Sequence, residues 1–221
     1  MQKDLVIFGN KDIAELALFY FSKDSQFRPV AFTVDNEFIT GEDLFGLPQV
    51  PFEQVQDHFS PDTHSMFVAL SYTQLNQLRR AKCNQSVEKG YSLATYVSSK
   101  ASVWDRNQIG HNGFILENVV VQPFAQIRNN VTIWSGTHIG HHTVIEEDCF
   151  ITSQVVVSGG VTVGQGSFIG VNATLRDHIS IGERCVIGAG AWISASIESE
   201  GVYITKASER SNIPSSKLRK L

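Results

Sequence analysis

The sequence predicts a small α/β sheet domain followed by a parallel β-helix. Every sixth residue from Val97 to Ile193 is aliphatic, without a gap. Two positions before each aliphatic the side chain is mostly small or Val, as at Gly113, Ala125, Thr137, Cys149 and Ala191. Ahead of that run, short apolar stretches alternate with amphipathic ones, the pattern of strands crossed by helices.

In chain order, Leu5-Val6-Ile7-Phe8 reads as a buried strand ended by Gly9-Asn10. Lys11 to Ser22 reads as a helix with Ile13, Leu16, Ala17 and Tyr20 on one face. Val30 to Val34 is a second strand, ended by Asp35. An irregular stretch with Gly46-Leu47-Pro48 and Pro51 follows. Met66 to Leu70 is a third strand, Thr73 to Lys89 a second helix, and Leu93 to Tyr96 a fourth strand. Residues 1–96 thus form a small parallel Rossmann-like sheet, about half a dinucleotide-binding fold.

The repeat fills residues 97–198. A six-residue period excludes an α-helix, whose faces recur every 3.6 residues. It also excludes one long alternating strand, whose period is two. Each hexad supplies one short strand and one corner, and three hexads, about eighteen residues, close one triangular turn. Residues 199–221 are a strand candidate at Val202-Tyr203-Ile204 and a basic tail carrying Lys206, Arg210, Lys217, Arg219 and Lys220 against Glu209.

The 221 residues carry a mixed net charge of −4, which gives no expectation of nucleic acid. No apolar run reaches the roughly 18 residues of a membrane span. Met1-Gln2-Lys3-Asp4 does not open like a signal peptide. Cys149 and Cys185 occupy one inward corner two turns apart, about 10 Å at strand spacing, beyond disulfide reach. A reduced, cytoplasmic protein is expected.

The densest chemistry is Thr137-His138-Ile139-Gly140-His141-His142-Thr143. A metal would need converging ligands. His142 and His178 stand two turns apart, so no metal is expected. General base catalysis needs one imidazole titrating near working pH. One turn below His141 lies Gly159. Gly159-Gly160 either leaves room for a thioester, with an amide N–H for the developing oxyanion, or only makes a corner. Trp104, Trp134 and Trp192 are read as outward, for subunit packing or, at Trp134, substrate stacking. His111 and His178 are read as surface or interface residues, and Asn172 as a corner residue of positive φ.

The hexad run, the order of domains and Gly140-His141-His142-Thr143 together resemble the two-domain sugar acyltransferases of the left-handed β-helix, hexapeptide-repeat superfamily. These include the bacillosamine N-acetyltransferases and the sialic acid O-acetyltransferase-like proteins. The resemblance implies a left-handed coil, a homotrimer with sites between neighbouring coils, a nucleotide-linked sugar on the N-terminal domain and acetyl-CoA along the coil. It implies His141 as general base and Gly159 as the thioester contact. It places Gly9, Asn10, Lys11 and Asp35 at the nucleotide sugar, and Gly160, Ala189 and Lys206 at CoA. The family's acidic residue after the histidine is His142 here, so His142, Glu117 and Glu147 are the candidates within the chain to orient the base, beside a group from the neighbouring subunit. The family's second histidine is Phe150, its glycine-rich loop keeps only Gly9, and its terminal Gly-x-Pro-Ala-Lys becomes Ile204-Thr205-Lys206-Ala207-Ser208. The expected activity is N-acetylation of a nucleotide-linked amino deoxy-sugar for a cell-surface polysaccharide. O-acetylation of a hydroxyl and a non-catalytic sugar-nucleotide scaffold are the alternatives.

Overall fold

A computed structural model describes residues 3–217. Met1 and Gln2 of the start, and Arg219 and Lys220 of the tail, lie outside the described residues. The N-terminal unit runs β1 (Lys3–Phe8), α1 (Asp12–Lys23), β2 (Phe27–Val34), β3 (Asp43–Leu44), β4 (Leu47–Pro51), α2 (Val55–His58), β5 (His64–Val68), α3 (Gln77–Glu88) and β6 (Ser92–Leu93). The sheet order is β3-β4-β2-β1-β5-β6, parallel except for the β3–β4 hairpin. β1 is a continuous apolar run because both of its faces are covered. Leu5 and Ile7 pack with Ala14, Ala17 and Phe21 of α1, while Val6 and Phe8 pack with Val55 of α2 and Cys83 of α3.

Four expectations change here. The buried face of α1 is Ala14, Ala17 and Phe21, about one residue round from the predicted stripe, because two alanines let the helix lie close to the sheet. α3 begins at Gln77, not Thr73: Gln74, Leu75 and Asn76 are all left-handed, a conformation no α-helix contains. The irregular stretch pairs as β4 beside β2 through Gln49 and Val50, turning at Gly46 with φ +82°. The fourth strand is divided: β6 closes the sheet, and Tyr96–Val97 is the first strand of the coil.

The coil is a left-handed parallel β-helix of two-residue strands on three faces. Among the described residues the first face runs from Tyr96–Val97 to Val202–Tyr203, the second from Ser102–Val103 to Trp192–Ile193, and the third from Gln126–Ile127 to Ser180–Ile181. Register steps by one turn, Val120 to His138 to Val156 on the second face. The hexad aliphatics from Ile115 onward are buried in one stack, with Cys149 and Cys185 among them as free thiols. The third residue after the inward aliphatic is left-handed at corner after corner, as at Asn130, His142, Gly160, Asn172 and His178. Asn, Gly and His tolerate that conformation better than most residues. No helix among the described residues is long and apolar enough to cross a membrane.

Arg79 of α3 clamps the sheet unit onto the coil. It is 2% exposed. Its guanidinium donates to Thr132 Oγ1 at 2.9 Å, to the Asn130 carbonyl at 2.9 Å and to the Cys149 carbonyl at 3.3 Å. Burial pulls its pKa down to about 10, so it stays charged at neutral pH. Arg79→Met removes the donor and strands the buried Thr132 hydroxyl and Asn130 carbonyl, while the Cys149 carbonyl keeps the Thr132 N–H. A loss of about 3 kcal/mol is expected, read as a lower denaturant midpoint.

Two carboxylates latch α1 to the coil on the opposite side. Asp24 accepts from the Ser99 N–H at 2.8 Å, Tyr96 Oη at 2.8 Å and Ser98 Oγ at 3.3 Å. Glu117 accepts from Tyr20 Oη at 2.8 Å and Ser135 Oγ at 2.7 Å. Burial pushes both carboxyls up, but these hydrogen bonds outweigh it and hold both below their ordinary values. A group depressed in the folded state stabilises above its unfolded pKa and loses that contribution as pH falls through the folded value. The melting temperature is therefore expected to hold above about pH 5 and to fall below about pH 4, with a shallower fall in Asp24→Asn.

Candidate active site

The corner between the second and third faces stacks one column of left-handed residues: Phe124, His142, Gly160 and His178, one turn apart. Beside it run Pro123, His141, Gly159 and Asp177. The His141 ring lies flat against Gly159. A Cβ built on Gly159 would stand 2.5 Å from Cε1 and 2.6 Å from Nε2 of His141. His141 Nδ1 is 3.1 Å from Nδ1 of His142, and the His142 ring lies tilted by 37° against Phe124 with centroids 4.8 Å apart. Two facing Nδ1 atoms bond only when one carries the proton. With Nδ1–H on His141 donating to His142, Nε2 of His141 is left as a lone pair above Gly159. The main chain is tied in the same place: the His141 N–H donates to Gln122 Oε1, and the Gly160 N–H to the His141 carbonyl. The Gly159 N–H has no acceptor among the described residues. In that tautomer, an imidazole beside an unused amide N–H can take a proton from a nucleophile and hold an oxyanion.

Glu117 is not part of this arrangement. It stands at the corner between the first and second faces, bound to Tyr20 and Ser135. Glu147 stands at the third corner. Of the three candidates, His142 touches the base. Trp134 is not outward. It is half-buried against the N-terminal core, at the corner with Glu117. Trp104 and Trp192 are exposed. His178, read as a surface residue, lies against Gly160, with Cε1 2.7 Å from where a Cβ would stand. The two glycines therefore make room for two imidazoles. Counting one turn on from Gly160, rather than from histidine to histidine, finds this contact.

The other expected contacts lie apart. Ala189 is at the corner between the first and second faces, where its carbonyl accepts from Thr205 Oγ1 at 2.8 Å, and exposed Lys206 follows. Within one chain these two do not share a corner with Gly159 and Gly160. Gly9 and Asp35 stand at the carboxyl ends of β1 and β2, the edge where open α/β sheets hold ligands. Gly9 has φ +138°, and a Cβ there would stand 2.7 Å from the Ala69 carbonyl oxygen, so glycine is required by packing alone. Asn10 Nδ2 donates to the Phe38 carbonyl at 3.0 Å, and Lys11 is exposed at the start of α1. Asp35 is paired with Lys82 at 2.5 Å, and the Lys82 ammonium lies over the Phe8 and Phe52 rings. Lys82 had no sequence signal, since it meets Asp35 only through the docking of α3.

The bacterial transferase hexapeptide (six repeats) family matches residues 124–159 and 160–195, about a third of the chain. No curated protein matches the sequence. The acetyltransferase domain of PglB from Neisseria gonorrhoeae FA1090 superposes with a TM-score of 0.81 at 19% identity, over 92% of this chain and 97% of that one. Its complex with acetyl coenzyme A gives a TM-score of 0.81 at 18% identity, over 93% and 97%. PerB from Caulobacter crescentus, in complex with CoA and GDP-perosamine, gives 0.81 at 20% identity, over 93% and 95%. The chain shares with them the two-part fold.

Proposed function

We propose that this chain is a cytoplasmic acetyltransferase that moves the acetyl group of acetyl-CoA onto the amino group of a nucleotide-linked amino deoxy-sugar, for cell-surface polysaccharide synthesis. The observation that carries the reading is the His141 ring fixed between His142 and Gly159, beside the unpaired Gly159 N–H. His141 Nε2 takes the proton of the attacking amine, and the Gly159 N–H holds the oxyanion of the tetrahedral adduct. In this reading His142 accepts the Nδ1–H of His141, the part a carboxylate would otherwise play. The fold shared with a domain bound to acetyl-CoA and with a protein bound to CoA and GDP-perosamine supports the choice of substrates. Lys11 and the edge at Gly9, Asn10 and Asp35 are the proposed nucleotide site.

The working form is a homotrimer. The second face turns the apolar column members Val120, Val156 and Trp192 outward among Ser102, His138 and Thr174, and Trp192 and Phe124 are exposed. Packing coils about a threefold axis covers that apolar column. It also lets Ala189 and Lys206 of one coil face Gly159 and Gly160 of the next, so that CoA lies between two chains.

Free-thiol release from acetyl-CoA tests the reading. The acceptors are uridine-, thymidine- and guanosine-linked amino sugars beside matched sugars bearing only hydroxyls. Release with an amino sugar and not with its hydroxyl counterpart is expected. Release with hydroxyl sugars alone makes the chain an O-acetyltransferase, and CoA binding without release makes it a scaffold.

A further inference from the structure

We infer that His178 is a second catalytic imidazole of this site, the group that protonates the departing sulfur. The inference rests on the acetyltransferase reading and adds a residue to it. Gly159 and Gly160 are consecutive, with Cα atoms about 3.8 Å apart. One imidazole covers each: His141 reaches down to Gly159 from the turn before, and His178 reaches up to Gly160 from the turn after. Three backbone bonds hold the turns in place. The Gly160 N–H donates to the His141 carbonyl at 2.8 Å, the His178 N–H to the Gly159 carbonyl at 2.9 Å, and the Ser158 N–H to the Leu175 carbonyl at 3.2 Å. The His178 side chain is exposed, and its ring nitrogens have no hydrogen-bond partner among the described residues.

A tetrahedral adduct carries its incoming nitrogen and its outgoing sulfur on different vertices. The His141 ring lies against Gly159 and meets His142 through Nδ1, so a swing from the nitrogen to the sulfur would break the contact with His142. A second imidazole one residue further along the corner supplies the other proton. The amine nitrogen bonds to the carbonyl carbon, and its proton goes to His141 Nε2. The carbon–sulfur bond breaks with its electron pair on sulfur, and the imidazolium of His178 gives that sulfur a proton. Amine and thioester become amide and thiol. Water then takes the proton from His141 and returns one to His178.

Leaving-group acidity separates this role from a structural one. A thiol much more acidic than CoA leaves without help. His178→Gln keeps the size and polarity of the side chain but cannot shuttle a proton. With acetyl-CoA it is expected to lower kcat by about 10²-fold while KM for acetyl-CoA and the calorimetric Kd for CoA stay within about twofold. With the acetyl thioester of 4-nitrothiophenol it is expected to match the wild-type chain within about threefold, whereas His141→Gln stays impaired with both donors. An equal loss with both donors, unchanged kcat with acetyl-CoA, or lost CoA affinity would overturn the assignment. A wild-type chain that moves no acetyl group from either donor removes the acetyltransferase reading itself, and this role with it.

Discussion

His141→Ala is expected to lower kcat for thiol release by about 10²–10⁴-fold and to leave the melting temperature within a degree or two. The two halves of that result have separate causes. The His141 side chain is exposed and its ring lies outside the aliphatic stack, so truncation opens no cavity in the core. Catalysis depends instead on one lone pair held at one place, and the side chain nearest Gly159 is the one that supplies it. His142→Ala keeps the base and removes only its Nδ1 partner, so the tautomer is no longer fixed. A smaller loss, about tenfold in kcat, is expected there. A His141→Ala chain that turns over at the wild-type rate would show that the amine needs no base here, and the mechanism would fall at its first step.

The coil was legible in the sequence because its core is one side chain repeated: the inward aliphatic sets both strand and turn, and pairing one turn apart follows. Counting along that turn also brought His141 to Gly159. His178 also lies one turn from Gly160, but its distance of two turns from His142 hides that contact in the sequence. Gly160 stands between them in the column, and its missing side chain leaves room for the His178 ring. Other misses are consequences of docking, which no local pattern encodes. Trp134 reads as outward on an isolated coil, yet the sheet unit covers that corner. Glu117 reads as a candidate to orient His141, yet Tyr20 of α1 reaches it across 97 residues of sequence. The Lys82 partner of Asp35 and the Arg79 clamp arise in the same way, from where α3 settles.

Gly159→Ala is expected to lower kcat by about 10²-fold with little loss of stability. Residue 159 does not need positive φ, so its backbone accepts alanine. The atoms nearest the new methyl belong to the His141 ring, at 2.5–3.0 Å from Cε1, Nε2 and Nδ1, and the ring is the far end of an exposed side chain. It moves aside, and a base displaced by about 1 Å costs about two orders of magnitude. Gly140→Ala makes the opposite contrast. Its Cβ would stand 2.6 Å from the Gly159 nitrogen and the Ser158 carbonyl carbon, which are backbone and cannot move alone. That variant is expected to lose stability. If Gly159 acts through His141, the two substitutions do not add. Gly159→Ala combined with His141→Ala should be no slower than His141→Ala alone, because the ring that the methyl displaces is gone. A further drop of tenfold or more in the double variant would mean that the methyl also disturbs the amide that holds the oxyanion. The Gly159 N–H would then contribute separately from the base.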